Sequence, residues 1–420
     1  MLRNNGGKYF PSFFCIKLET DSNPQDYLQN NLTSTIVHEY VHFIQDISTV
    51  YGLTNLSKNF ANAFDFYNIK EKSICLPYKF DSSYTTNNIN KELFDIYYAD
   101  CSYLKIPKYV NWEVDIIPKS ANEYGFEFSK DLLFYEIKIS SEGYEKTFDF
   151  GACSIMECMA SLIEKHLFPF DTTYYEIPYD LPVLVANSLL DGLGEKKNLI
   201  VALCDVSLMF YHSGEIFIKS IEMMKNQNYM PTCVDDIYSF VFSNISLSES
   251  NIHTLFNNSV NTAINDINNI VNVDREEFTV PRDWAIKAIQ DYYKLRIRNI
   301  TFLSSIMELP KLEAQVNLFT LFKSHISPVI YNQKYEFSII GSSENTNVDY
   351  LIYWFYLKSM FSFIFYDENI HCPFNEICQM KKVDCSKYPW LKKGYPYCIY
   401  EQFARIFALY KRDILTPAST

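Results

Sequence analysis

Between Thr33 and Val50 the chain reads TSTIVHEYVHFIQDISTV, with apolar residues at Ile36, Val37, Tyr40, Val41, Ile44 and Ile47. Recurrence at three- and four-residue spacing marks one face of a helix, so a helix is predicted over 33–50. Thr33 stands where a hydroxyl can cap the first free amides, and Gly52 lies just past the predicted end. A second clear helix is predicted for ACSIMECMASLIEKH, opened by Gly151. Residues 8–19 (KYFPSFFCIKLE) read as a strand, followed by the polar connection TDSNPQD. Over 111–150 the pattern changes to period two. LLFYEIKI and YEKTFDF alternate around Ser140-Ser141-Glu142-Gly143, which suits a hairpin turn.

Residues 55–110 give no dominant period. Two helices are predicted within 181–225, and further helices near 252–272, 282–307, 311–324, 347–366 and 396–413. The polar stretch SNISLSESN at 243–251 reads as a boundary. The chain is therefore expected to be α+β and predominantly helical, with a region at 1–245 holding the short β segments and a helical region at 246–420.

Composition narrows the function classes. At 420 residues the chain is long enough for two or three packing units and a large core. Its 33 Tyr and 33 Phe imply an aromatic core in which many phenol hydroxyls need polar partners. A net charge of −13 repels phosphate backbones, so no nucleic-acid partner is expected. The N-terminal segment lacks the basic and apolar pattern of a secretory signal. The longest apolar run, Tyr350 to Tyr366, is broken by Lys358 and is short for a membrane span, so a buried helix and no membrane partner are expected. Eleven cysteines without a compact framework fit reduced thiols and a cytoplasmic location.

The chemistry centres on His38-Glu39-Tyr40-Val41-His42, an H-E-x-x-H motif on the first predicted helix. Residues four apart share one face, with Cβ atoms about 6 Å apart, so two imidazoles can converge on one ion. Glu39 follows the first histidine and can reach a water at the ion without ligating it. Zinc lowers the pKa of such a water to about 7, and the carboxylate can take its proton.

With this motif the chain resembles the zincin metallopeptidases. The metzincin branch is excluded, because Gln45 stands where its Gly belongs and Ser48 where its third His belongs. The gluzincin branch takes a Glu from a later helix. Glu157 in GACSIMECMASLIEKH, with Ala160 three residues on, is similar to that ligand helix. Cys153, Ala160 and Ser161 are small enough for close approach to the first helix. Glu164, two turns along the same face, is a rival ligand, and Asp46 a weaker one. The resemblance implies a zincin-like core holding one catalytic Zn2+, with His38, His42 and Glu157 as ligands and Glu39 as general base. It implies hydrolysis of a peptide or protein substrate lying in a cleft between the two helices. It leaves strands to be supplied, and 111–150 is the expected source.

Gluzincins also place a His or Tyr donor at the oxyanion. His212 is the candidate here, with Asp205 two turns earlier to orient it; Tyr211 and His166 are alternatives. His371, Cys372, Cys378, Cys385 and Cys398 cluster near the C-terminus without any C-x-x-C pair, so a second, structural zinc is a secondary expectation. Two other functions stay open: a zinc hydrolase of a small amide or ester, and a non-catalytic zinc-binding scaffold. A closed pocket would favour the first, an open groove beside a strand edge favours peptides, and the intact Glu39 argues against the scaffold.

Overall fold

Thr33 caps the central helix as expected: its hydroxyl accepts from the Ile36 amide at 3.4 Å. The computed structural model describes residues 6–25, 33–80, 85–125, 132–170, 172–245, 251–270, 276–340, 348–367, 371–378, 389–391 and 398–415. In chain order these begin with β1 (Gly7–Phe10), β2 (Cys15–Leu18), α1 (Ser34–Ser48), α2 (Val50–Asn68), β3 (Ser73–Cys75) and α3 (Thr85–Tyr98). There follow β4 (Leu104–Pro107), β5 (Glu113–Ser120), β6 (Leu133–Ser141), β7 (Tyr144–Phe150), α4 (Ala152–Leu167) and β8 (Tyr174–Ile177). Next are α5 (Leu181–Leu189), α6 (Lys197–Ser207), α7 (Ser213–Asn226), α8 (Val234–Asn244), α9 (Ile252–Ile270), α10 (Glu276–Arg298) and α11 (Lys311–Ser324). The last are β9 (Val329–Tyr331), β10 (Phe337–Ser338), α12 (Val348–Phe365), α13 (Ile399–Ile406) and β11 (Asp413–Leu415). The protein is mostly helical with small sheets.

Several expectations are corrected by tertiary geometry. The single strand expected over 8–19 is a hairpin, with Gly7 opposite Leu18 and Phe10 opposite Cys15. Ser12 and Phe14 have φ of 69° and 54°. That is the left-handed region, which no strand accommodates, so the chain reverses there. Gly52 is not a C-cap but lies in the first turn of α2. Thr49 joins the helices, its hydroxyl donating to the Gln45 carbonyl at 2.6 Å and accepting from the Gly52 amide at 3.0 Å. A Cβ on Gly52 would stand 2.3 Å from the Asp46 carbonyl, so this corner needs glycine for close approach. Residues 181–225 hold three helices, not two. The helix expected over 282–307 is α10, which starts earlier and stops at Arg298; a 3-10 turn follows at Ser304–Glu308. The end of the chain, expected as helix over 396–413, is α13 followed by β11, which pairs with β3. Much of the boundary expected at 243–251 lies outside the described residues.

The β region at 111–150 is an antiparallel meander, β5-β6-β7, turning where expected, with Ser141 opposite Tyr144. It is a separate sheet and does not supply the strands beside α1. Those come from the far end of the chain: β9 pairs parallel with β2, Cys15 opposite Val329, and β10 follows β9. Among the described residues, the order β1-β2-β9-β10 leaves β1 as an edge strand, packed on α1.

Helix α1 is buried on all sides. Ile36, Val37, Tyr40, Val41, Phe43, Ile44 and Ile47 have no exposed surface. Burying each such side chain stabilises the fold by about 1.5–3 kcal/mol. Phe14 packs against Trp354 at 4.7 Å and Trp284 at 5.9 Å, and Phe43 against Tyr292 at 5.8 Å, so elements from both sides of residue 245 share one aromatic core. Helix α12, the longest apolar run, lies in this core, and no helix among the described residues is long and apolar enough to cross a membrane.

Candidate metal centre

The polar face of α1 is also largely buried: His38 is 6%, Glu39 8% and Asp46 4% exposed, Gln45 is fully buried, and His42 is partly buried. Buried polar groups cost free energy unless they are paired, so each partner is informative. Across from this face lies α4, the second predicted helix, opened by Gly151. Gly151 admits the end of α3, since a Cβ there would stand 2.4 Å from the Tyr97 carbonyl.

The two helices bring three of the expected ligands together. His38 Nε2 and His42 Nε2 are 3.2 Å apart, and Glu157 Oε2 lies 3.2 Å from the first and 3.4 Å from the second. A tetrahedral ion with ligands at about 2.0–2.1 Å needs ligand atoms about 3.3–3.4 Å apart. The triangle has that edge length, and one vertex of the tetrahedron remains for water or substrate. Among the described residues this is the one His/Cys/Asp/Glu group with such convergence. His371, Cys372, Cys378 and Cys398 form none, and Cys385 lies outside the described residues.

The outer hydrogen bonds fix the tautomers. His38 Nδ1 lies 3.1 Å from Glu164 Oε2, and a carboxylate can only accept, so Nδ1 carries the proton. His42 Nδ1 lies 2.8 Å from Gln45 Oε1, and the Gln45 amide nitrogen donates to the Met156 carbonyl at 3.1 Å. That second bond orients the Gln45 oxygen toward His42, so its Nδ1 is also the donor. In the neutral imidazoles, both Nε2 atoms would then turn lone pairs toward one another and toward Glu157. Such a set of three donor atoms has the composition and spacing that could hold a metal ion. In the metal-free protein, protons serve. Burial by itself lowers the His38 pKa, but Glu157 and Glu164 outweigh it and raise the value from 6.5 to about 10. His42 is raised as well, Glu157 outweighing burial. Glu157 is held well below the usual carboxylate range, because the two histidines outweigh its burial.

Glu164, the rival ligand, holds His38 from the opposite ring edge instead of joining the triangle. Asp46, the weaker rival, accepts from the Tyr9 hydroxyl at 2.7 Å and the Ser12 amide at 2.7 Å. Glu39 points toward β1, with Oε2 accepting from the Tyr9 amide at 2.6 Å. Tyr179, buried, lays its ring edge-on to His38 at 5.9 Å.

His212 is placed otherwise than expected. It is the N-cap of α7: its Nδ1 accepts from the Glu215 amide at 3.4 Å, and its Nε2 donates to the Leu133 carbonyl at 2.7 Å. Both ring nitrogens are engaged by main chain, leaving no donor for an oxyanion, and burial pushes its pKa down to about 3. Asp205 does not orient it. Both Asp205 oxygens are taken by Arg296, at 2.7 and 3.0 Å. His166, in the last turn of α4, donates from Nε2 to the Leu309 carbonyl at 3.0 Å. Tyr211 is 43% exposed. Two cysteines expected to be free are joined: Cys101 and Cys153 form a disulfide with Cα atoms 6.0 Å apart, one turn before Glu157.

Sequence reasoning missed Gln45 and Tyr9. Gln45 was legible only as a departure from the metzincin pattern, although its i,i+3 spacing from His42 places it on the ring's own face. Nothing in the local sequence ties Tyr9 to Glu39. Compared with known protein families, with curated proteins and with solved structures, the chain matches none.

Proposed function

We propose that the chain is a zinc-dependent hydrolase that cleaves peptide bonds. The observation that carries this reading is the buried centre of three converging lone pairs beside a carboxylate that is not one of them. His38, His42 and Glu157 would hold the ion; Glu164 and Gln45 keep the two imidazoles in the ligating tautomer. Zinc, when bound, supplies a Lewis acid and a water acidic enough to ionise near neutral pH.

The chain's own residues do the rest. Glu39 Oε2 is held by the Tyr9 amide, and no hydrogen bond from the described residues reaches Oε1. Oε1 takes the proton of the attacking water and later delivers it to the departing amine nitrogen. Strand β1 lies beside this carboxylate with its Tyr9 amide already bonded to it, so the preference for a peptide over a small amide or ester rests on the H-E-x-x-H resemblance. The net charge of −13 supports a substrate other than nucleic acid.

The test is Glu39→Gln. Zinc should stay at one per chain, and hydrolysis should fall about 10²–10⁴-fold, as for loss of a general base. New protein N-termini present in cells expressing wild type and missing with Glu39→Gln would identify substrates. Activity at full strength in Glu39→Gln, or purified protein without zinc, rejects the reading.

A further inference from the structure

The strand beside Glu39 acts on the base itself. β1 and β2 pair antiparallel, and the Glu19 amide donates to the Gly6 carbonyl at 2.8 Å. In such a ladder, hydrogen-bonded pairs alternate with pairs that are not. Gly6/Glu19, Lys8/Lys17 and Phe10/Cys15 therefore bond across the hairpin, and Gly7 and Tyr9 turn their amides off the free edge. The Tyr9 amide has no acceptor within its own sheet. Its acceptor is Glu39 Oε2, at 2.6 Å.

The strand comes this close to α1 because of two glycines. A Cβ on Gly7 would stand 2.9 Å from Thr35 Cγ2 and 3.1 Å from Glu39 Cγ. A Cβ on Gly6 would stand 2.3 Å from Thr35 Oγ1. Asp46, two turns after Glu39 on the same helix, grips the other end of the hairpin through Tyr9 Oη and the Ser12 amide, each at 2.7 Å. Tyr9 is thus fixed by main chain and side chain together, at a point that decides where one oxygen of the base can be.

We infer that the main-chain amide of Tyr9, seated on Thr35 by Gly6 and Gly7, is a positioning group for Glu39. It pins Oε2 and leaves Oε1 as the single oxygen that moves the proton. The inference rests on the hydrolase reading, but the hydrogen bond itself can be tested without any substrate. The consequence for rate follows from geometry: a displacement of about 1 Å in a reacting group can cost about 10²-fold.

Two measurements decide it. Amide hydrogen exchange, compared between wild type and Glu39→Ala, should accelerate at Tyr9 by at least about tenfold, the equivalent of one hydrogen bond. Lys8 and Phe10, bonded to β2, should keep their rates. Gly7→Ala should lower kcat about 10–100-fold, with KM within about threefold of wild type and zinc still at one per chain. Adding Thr35→Ala, which removes the 2.9 Å clash, should restore most of kcat. Unchanged exchange at Tyr9 in Glu39→Ala overturns the inference even if the hydrolase reading stands. A Gly7→Ala loss that comes with lost zinc, or without rescue by Thr35→Ala, makes the strand merely structural and also overturns it. Full hydrolysis by Glu39→Gln sinks the hydrolase reading instead, and the exchange comparison then still decides the hydrogen bond.

Discussion

Two clusters of buried polar groups lie along α1, and they are completed in opposite ways. At its C-terminal end Arg296, fully buried on α10, places every guanidinium N–H. Nε donates to the Ser48 carbonyl, the two terminal nitrogens reach both oxygens of Asp205, and the remaining bonds go to Ser48 Oγ and the Ile300 carbonyl. The Tyr238 hydroxyl adds a further bond to Asp205. Charge meets charge, each donor has an acceptor, and nothing external is needed. Around His38 and His42 the protein does the reverse. Its outer hydrogen bonds hold both imidazoles by Nδ1 and turn both Nε2 atoms toward Glu157. One cluster is closed by the fold; the other gathers three groups that could hold a metal ion. Burial alone does not separate a structural polar cluster from a functional one. The balance of donors and acceptors does.

That comparison can be broken. The largest effect on stability is expected from Arg296→Ala, which leaves Asp205 in the core without its ion-pair partner. It should destabilise the protein by about 3–5 kcal/mol, read by denaturant unfolding, and the folded fraction should keep its zinc. Loss of zinc from folded Arg296→Ala would mean that the two clusters are one system. Glu157→Ala should do the opposite. Zinc affinity should drop by more than about 100-fold, beyond the range for an outer partner, while the metal-free protein stays folded. Competition with a chelator measures this, and wild-type affinity in the variant would remove Glu157 from the ligand set.

Glu164→Ala should be weaker, about 10–100-fold in zinc affinity, because it frees the His38 ring without removing a ligand. Equal losses in the Glu157 and Glu164 variants would erase the distinction between ligand and orienting carboxylate. The smallest effect concerns protons. In the metal-free protein the folded His38 pKa is about 10, above the ordinary 6.5. The stability this contributes is fully present below pH 6.5 and is lost as pH rises toward 10. Zinc must displace that proton, so binding near neutral pH should release about one proton or more, and affinity should rise with pH. Calorimetry in two buffers of different ionisation heat counts the protons. Binding without proton release would contradict the raised His38 pKa.

Much of this was legible from local pattern. The period of Ile36, Val37, Tyr40, Val41 and Ile44 marks α1, Thr33 marks its cap, and the i,i+4 spacing in H-E-x-x-H puts His38 and His42 side by side. Alternation over 132–150 gave the hairpin β6-β7 and its turn. Glu157 was legible through the small residues of its helix and a family resemblance. His212 failed because a histidine before a helix is ambiguous from sequence: the same residue can be a donor in a cleft or a cap, and here the Glu215 amide and the Leu133 carbonyl decide it.

The sequence by itself determined the elements whose cause is local: helices with a 3.6-residue period, a two-strand alternation and one pair of histidines a turn apart. Only the tertiary structure decided that β9, more than three hundred residues from β2, completes the sheet beside α1. It also decided that Glu157 faces Nε2 while Glu164 faces Nδ1, that Cys101 meets Cys153, and that the Tyr9 amide meets Glu39. The physical reason is range. Periodicity reports which face of a segment is apolar, through interactions within a few residues. Which polar groups share a buried space depends on contacts between segments distant in sequence, and on a donor–acceptor balance that exists only once they are packed.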